Sequence, residues 1–180
     1  MRWSYCDIAD FGEEDLRNVN LSPSRKEYIR RLRRPQDQVR SIAAELLVYK
    51  ILKDSYGVEH AVLHRAENGR PYLTGCDLYV SIAHCGTKLA CAVSPEPVGI
   101  DIEQIRPVNQ NLLRHVCVEA EKAYVTEQDG VQDLRFFEVW TAKEAWFKKC
   151  GTGITDLKSV NVLPLKREIH LLDDYVIQII

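Results

Sequence analysis

The sequence V-G-I-D-I-E occupies residues 98–103, near the midpoint of the 180-residue chain. Its apolar residues predict a buried strand, in which successive side chains point to opposite faces. Asp101 and Glu103 then share one face, where their charges repel unless a cation or a proton lies between them. Two oxygen ligands with open positions suit Mg²⁺. The alternative is an exposed edge strand with solvated acids, since charged residues mostly lie on surfaces.

A second group of charged residues lies further along the chain. Trp140, Glu144 and Lys148 recur every four residues, so a ring, a carboxylate and an ammonium line one helix face. An ordinary surface ion pair, worth about 0.5 kcal/mol, explains the same spacing. Aromatic residues crowd the segment and predict a packed helix that partly shelters Glu144: Phe136, Phe137, Trp140, Trp146 and Phe147.

On the N-terminal side of the first motif, residues 1–98 are predicted to form one α+β half. Apolar residues at helical spacing predict a helix from Arg34 to Leu52, with Pro35 in its first turn and Gly57 beyond its end. Arginines precede this helix, and a cationic helix N-terminus is a good place for a phosphate. Short runs between turn sequences predict a small antiparallel sheet: 61–64, 78–82 and 89–93.

Residues 99–180 are predicted to form the second half. The patterns predict helices over 112–125 and 133–149, and further strands over 160–162, 169–172 and 175–180. The order of elements suggests two similar α+β halves that meet near residue 98 and pack against each other.

Composition limits the partners. A formal net charge of -2 gives no bulk reason to expect nucleic acid or an anionic membrane. The six cysteines include no C-x-x-C pair, which favours reduced thiols in the cytoplasm. No apolar run approaches the roughly 20 residues that span a bilayer, and no apolar signal core follows the first methionine. We therefore expect a cytoplasmic protein without a membrane partner.

V-G-I-D-I-E together with W-T-A-K-E-A-W-F-K, residues 140–148, resembles the two signature sequences of the 4'-phosphopantetheinyl transferase superfamily. The resemblance covers roughly residues 20–160, and further matches follow the family's order: Ser22–Arg25, Arg40–Ser41, Asn68–Pro71, Ser81–Gly86 and Gly151–Ile154. Because the D-x-E strand lies mid-chain, the chain resembles the surfactin-type group. That resemblance implies a protein that is a monomer. Its single chain would form an intramolecular pseudodimer, two similar α+β halves arranged like the subunits of a dimer, with the active site in the cleft between them.

The resemblance implies an enzyme that transfers 4'-phosphopantetheine from coenzyme A to a serine of an acyl or peptidyl carrier protein, releasing 3',5'-ADP. By position, Asp101, Glu103 and Glu144 resemble the Mg²⁺ ligands, and Glu144 also the general base. Lys148 resembles the residue that stabilises or protonates the leaving phosphate. His84 resembles the histidine that contacts the diphosphate. A metal that neutralises the diphosphate fits this chemistry.

The resemblance also assigns the nucleotide end of coenzyme A. Arg25, Arg40 and Ser41 match positions that hold the 3'-phosphate, for which arginine offers bidentate contacts. Gly69, Arg70 and Pro71 match the turn on the adenine side. Further arginines lie between Arg25 and Arg40 in the sequence, among them Arg30, Arg31 and Arg33. For these three, the alternative is a solvated helix face.

Three features depart from the family pattern. Ala83 stands where the family has a serine before the histidine, Tyr28 stands at a phosphate-contact lysine, and the chain stops at Ile180, one or two strands short. Apolar residues between the signatures are candidates for contacting the carrier protein, although core packing explains them as well: Leu112, Leu113, Val116 and Tyr124. The pathway that the carrier serves, in fatty acid, polyketide or peptide synthesis, is not chosen by the sequence.

Two other functions are compatible with these patterns. The first is a degenerate relative that binds coenzyme A without transferring anything, as Ala83 and the short C-terminal end suggest. The second is nucleic-acid binding through the arginine cluster. The acidic net charge argues against it, as does the near absence of aromatic residues interleaved with the arginines.

Overall fold

A computed structural model describes residues 1–12, 14, 19 and 21–180. These residues form an α+β fold, which confirms the predicted class, and they divide into two compact units, Met1–Val98 and Gly99–Ile180. The arrangement of the halves as a pseudodimer stays a prediction. Within the described part of the chain, no helix is long and apolar enough to cross a membrane.

The N-terminal unit packs one long helix on an antiparallel sheet. Its elements are β1 (Arg2–Asp7), α1 (Pro23–Arg31), α2 (Pro35–Tyr56), β2 (Val62–Arg65), β3 (Pro71–Thr74), β4 (Tyr79–Cys85) and β5 (Lys88–Ser94). The sheet has the order β1-β5-β4, and β2 and β3 form a separate hairpin. Apolar residues of α2, among them Leu47, Val48 and Ile51, bury themselves against Leu89 and Val93 of β5.

Local sequence explains both helices of this unit. Pro35 occupies the first turn of α2, and Gly57 ends the helix at φ 66°, a left-handed conformation that glycine adopts without strain. The hydroxyl of Ser22 accepts a hydrogen bond from the backbone N–H of Arg25 and caps α1, with Pro23 in the first turn. The pairing of α1 with α2 brings the arginine-rich segment onto the folded unit.

The C-terminal unit also packs a long helix on a three-stranded antiparallel sheet. Its elements are β6 (Ile100–Gln104), α3 (Gln110–Val116), α4 (Glu119–Thr126), α5 (Gln132–Cys150), β7 (Glu168–Leu172) and β8 (Tyr175–Ile179). The sheet has the order β6-β8-β7, so β8 lies in the middle. Helix α5 packs on β6 and β8, and its residues Phe136, Phe137 and Ala142 are fully buried.

Several predicted elements need correction. The helix predicted over 112–125 is two helices, because Cys117 and Val118 have extended backbone angles between α3 and α4. The strand predicted over 160–162 is wrong, since no strand forms there. Strands β1 and β3 and helix α1 were not predicted as elements. Leu113 and Val116 are core residues, which supports the packing explanation for these two.

Candidate functional site

Gly99 sets the distance between β6 and α5. A Cβ atom at this position would lie 1.8 Å from the carbonyl oxygen of Ala145 and 2.8 Å from the backbone nitrogen of Lys149. Glycine is therefore required for the approach of strand to helix. Two residues further along, Asp101 faces the same helix, and its Oδ1 accepts a hydrogen bond of 2.6 Å from Nζ of Lys148.

Asp101 is the most buried acid of this cluster. The residue is 3% exposed, and its second oxygen, Oδ2, is buried without a hydrogen-bond partner among the described residues. Burial raises the pKa of Asp101 to about 7; the Lys148 ammonium opposes this, and the carboxylates of Glu144 and Glu103 add to it. An unpaired buried carboxylate oxygen is costly unless a ligand completes it.

Glu144 and Glu103 complete the cluster. Burial also raises the pKa of Glu144, with the carboxylate of Glu103 contributing, while the Lys148 ammonium and the indole of Trp140 oppose the rise. Glu103 is half-buried and pairs at 3.3 Å with Arg106. Asp101, Glu103, Glu144 and Lys148 thus lie close enough for their charges to affect one another, while their roles stay predictions.

The cluster fits Mg²⁺ in ligand type and charge. Carboxylate oxygens are ligands that Mg²⁺ prefers, and the orphaned Oδ2 of Asp101 offers one directly. In the arrangement described, no three Asp, Glu, His or Cys side chains of the described residues are grouped tightly enough to hold a metal ion. Lys148 supplies the counter-charge to Asp101 instead.

The N-terminal unit has a cavity of about 280 Å³ that brings together three of the predicted coenzyme A contacts, Arg40, Ser41 and His84. Ile82, on the same face of β4 as His84, also lines it. Ala83 is buried on the other face of β4 and does not line this cavity. A serine there would not add its hydroxyl to this cavity.

Arg25 lies behind this cavity in a buried network. Its Nε donates to Glu45 at 2.8 Å, and its Nη2 donates to the hydroxyl and the carbonyl oxygen of Ser41. Arg25 and Glu45 are 2% and 0% exposed at their side chains, so the pair fixes α1 on α2. Nη1 of Arg25 is buried without a partner among the described residues. The predicted contact between Arg25 and a 3'-phosphate stays a prediction.

The predicted adenine-side turn lies at the β2–β3 hairpin. Gly69 has φ 83° and closes the turn, which only glycine adopts readily. Arg70 and Pro71 line a different cavity, of about 380 Å³, together with the exposed Tyr72 and Tyr79. The structure therefore assigns the two groups of predicted nucleotide contacts to separate cavities.

The comparisons with known proteins concern the segment that carries the carboxylate cluster. The sequence profile of the family described as 4'-phosphopantetheinyl transferase superfamily matches residues 97–176. This segment is therefore similar to members of that superfamily. The match contains every residue of the cluster, Asp101, Glu103, Glu144 and Lys148, and both of the signature sequences.

Three curated relatives extend the similarity beyond that segment. The chain is 28% identical to a 4'-phosphopantetheinyl transferase of Bacillus subtilis, over 80% of this chain and 66% of the relative. It is 31% identical to the 4'-phosphopantetheinyl transferase gsp of Aneurinibacillus migulanus, over 75% of this chain and 58% of the relative. It is 26% identical to the 4'-phosphopantetheinyl transferase Sfp of Bacillus subtilis strain 168, over 84% of this chain and 70% of the relative. The chain thus spans about 58 to 70% of the length of these superfamily members.

Two residues of the chain were not assigned a role from the sequence. Lys143 is fully buried in an ion pair with Glu121, at 2.8 Å, and donates to the carbonyl oxygens of Leu157 and Val160. Arg65 lines the cavity that contains Arg40. For Lys143 the signal was its place inside the second signature sequence. For Arg65 no local pattern was available, because its partners are distant in the sequence.

Proposed function

We propose that this protein transfers the 4'-phosphopantetheine group of coenzyme A to a serine of an acyl or peptidyl carrier protein and releases 3',5'-ADP. The observation that carries the proposal is the cluster of Asp101, Glu103, Glu144 and Lys148, which lies within the segment that matches the superfamily. The three relatives are 4'-phosphopantetheinyl transferases, which supports the transfer of this group.

Asp101, Glu103 and Glu144 would hold a magnesium ion, around which their carboxylates would have to close more tightly than in the arrangement described. When bound, Mg²⁺ neutralises charge on the diphosphate and makes the phosphorus more electrophilic. The buried Oδ2 of Asp101, which has no partner among the described residues, supports this assignment. Binding of the ion would draw Asp101 into its ionised form, since the pKa of this carboxyl is raised to about 7 without it.

Glu144 and Lys148 are the proposed acid–base pair. The serine oxygen attacks the β-phosphorus of coenzyme A, Glu144 takes the serine proton, and the bond to the oxygen of the leaving 3',5'-ADP breaks. Burial raises the pKa of Glu144 in the absence of the ion, and a bound Mg²⁺ would act in the opposite direction, as at Asp101. The Lys148 ammonium, one helical turn away on α5, offsets the negative charge that develops on the leaving phosphate.

The N-terminal unit is proposed to bind the rest of coenzyme A. Arg40, Ser41 and His84 line one cavity, which supports the assignment of Arg40 and Ser41 to the 3'-phosphate and of His84 to the diphosphate. Gly69, Arg70 and Pro71 are proposed for the adenine side. We further propose that the protein acts in the cytoplasm as a monomer, with neither nucleic acid nor membrane as its partner.

The test is direct modification of an apo carrier protein. The full chain is incubated with coenzyme A and Mg²⁺ and with apo carriers of the fatty-acid and the peptide-synthetase type. Intact-mass spectrometry then measures the addition of one phosphopantetheine group to the carrier. We expect the addition with at least one carrier, and its loss when EDTA replaces Mg²⁺.

Two variants make this test specific. Asp101→Ala removes a proposed metal ligand, whereas Glu119→Gln changes an acid of the same unit whose side chain is 89% exposed. We expect transfer to be lost in the first and kept in the second. Binding of coenzyme A without modification of any carrier would instead identify a relative that holds the substrate and transfers nothing.

A further inference from the structure

Arg65 connects the predicted adenine-side turn with the cavity that contains Arg40. It is the last residue of β2 and lies opposite Pro71 in the β2–β3 register. Its Nη1 donates a hydrogen bond of 3.0 Å to the carbonyl oxygen of Gly69. Its guanidinium carbon lies 4.9 Å from the centroid of the Tyr28 ring, and both Tyr28 and Arg65 line the cavity of about 280 Å³.

The contacts of Arg65 among the described residues include no carboxylate. Burial lowers the pKa of its guanidinium, and the charge of Arg25 acts in the same direction. A partly buried cation without a counter-charge is unfavourable, because desolvation is not offset by an ion pair. A cation–π interaction with the ring of Tyr28 offsets part of this desolvation free energy. Arg65 therefore has donors available for an anion.

Arg40 shares the cavity and is also incompletely paired. Its Nη2 binds Asp37 and its Nη1 donates to the carbonyl oxygen of Gly86, but its Nε is buried without a partner among the described residues. Among the lining residues, two arginines face one carboxylate, that of Asp37. The cavity is thus cationic, and two guanidinium groups offer the planar donor geometry that a phosphomonoester accepts bidentately.

We propose that Arg65 is a binding residue for the 3'-phosphate of coenzyme A, which it holds together with Arg40. The ring of Tyr28 positions the guanidinium plane of Arg65. The hydrogen bond to the carbonyl oxygen of Gly69 fixes one edge of that plane on the hairpin. Arg65 supplies positive charge to the cavity from β2, which packs against α1. This inference rests on the proposed function for the identity of the nucleotide.

The test compares two nucleotides that differ by the 3'-phosphate. Isothermal titration measures the affinity of the full chain for 3',5'-ADP and for 5'-AMP, neither of which reacts. We expect the parent protein to prefer 3',5'-ADP. Arg65→Gln should weaken binding of 3',5'-ADP by about 10- to 100-fold, the size of a lost charge-assisted contact, and should change binding of 5'-AMP less than about 2-fold.

Three further variants test the charge of residue 65, its support by the Tyr28 ring, and the effect of removing an arginine elsewhere. Arg65→Lys should recover part of the preference, and Tyr28→Leu should lose part of it, because the guanidinium is then less well positioned. Arg33→Gln is the matched control, since Arg33 is exposed and does not line the cavity. Circular dichroism of each variant shows whether it has folded.

The outcomes decide between this inference and the proposed function. If Arg65→Gln keeps the full preference for 3',5'-ADP, or if the parent protein has none, the inference is overturned even when carrier modification occurs. If the preference depends on Arg65 but no carrier is modified, the inference stands and the transferase proposal fails. If inorganic phosphate binds as tightly as 3',5'-ADP, the cavity is a free-phosphate site and the assignment to a nucleotide is overturned.

Discussion

Gly99 and Ala145 meet backbone to backbone, since a Cβ atom on Gly99 would lie 1.8 Å from the carbonyl oxygen of Ala145. No side-chain rotation relieves this contact, because the backbone fixes the position of the Cβ atom and the oxygen belongs to the main chain. We expect Gly99→Ala to lower the free energy of unfolding by about 3 kcal/mol or more, through forced separation of β6 and α5. Urea denaturation measures the change.

Gly130→Ala is the control for this prediction. Gly130 has φ 83° and no atom within 4 Å of a built Cβ, so only the backbone conformation opposes alanine there. We expect a cost of about 1 kcal/mol. Equal costs for the two substitutions would contradict the close approach of β6 to α5.

Asp101→Asn tests the pKa of the buried carboxyl in metal-free protein. Folding raises the pKa of Asp101 from 3.8 to about 7, so the unfolded chain loses this proton at lower pH than the folded chain. The carboxyl therefore destabilises the fold progressively as pH rises through that window, and fully above it. We expect the asparagine variant to be more stable than the parent at pH 8, by at most about 4 kcal/mol.

The pH dependence is the deciding readout for Asp101. Unfolding curves in EDTA at pH 8, 6.5 and 5 should show the advantage of the variant shrinking toward acid, because the parent carboxyl is then protonated in the folded state. An advantage that stays constant over this range would show that the pKa of Asp101 is not raised. Added Mg²⁺ should stabilise the parent more than the variant.

Glu144→Gln separates binding from chemistry. The amide is nearly isosteric, but it cannot accept the serine proton and is a weaker metal ligand than a carboxylate. We expect the rate of carrier modification to fall by at least about 100-fold, while coenzyme A affinity changes little. Initial rates by mass spectrometry and titration calorimetry measure the two quantities. A variant with the parent's transfer rate would remove Glu144 from the proposed role.

The carboxylate cluster could be predicted because its members lie on regular elements. Alternation along β6 puts Asp101 and Glu103 on one face, and the helical repeat puts Glu144 and Lys148 on one face of α5. Helix α1 was missed for a physical reason. Its buried positions are Ile29 and Arg25, and a buried arginine breaks the apolar pattern that predicts a helix.

Tertiary contacts explain the other differences from prediction. The apolar run at 160–162 has the composition of a strand, yet its backbone groups bind side chains, because Val160 accepts from Lys143 and Val162 donates to Glu121. Arg65 gives no signal in its own neighbourhood, because its significance depends on Tyr28 and Arg40, which reach it only in the folded unit.

Lys143 and Glu121 form a fully buried pair whose polar groups are all used. The three donors of the ammonium reach Glu121, Leu157 and Val160, and the Glu121 carboxylate also accepts from the backbone of Val118 and Val162. Lys143→Met removes the cation and leaves a buried carboxylate, so we expect a loss of about 3–5 kcal/mol in the free energy of unfolding.

The companion variants show whether the loss comes from the unpaired charge. Lys143→Met combined with Glu121→Gln should lose less stability than the sum of the two single variants, because the double variant buries no uncompensated charge. Lys166→Met, at an exposed lysine of the same unit, should change stability by less than about 0.5 kcal/mol. If the two losses simply add, Lys143 stabilises the unit through its backbone contacts to the segment after α5 rather than through Glu121.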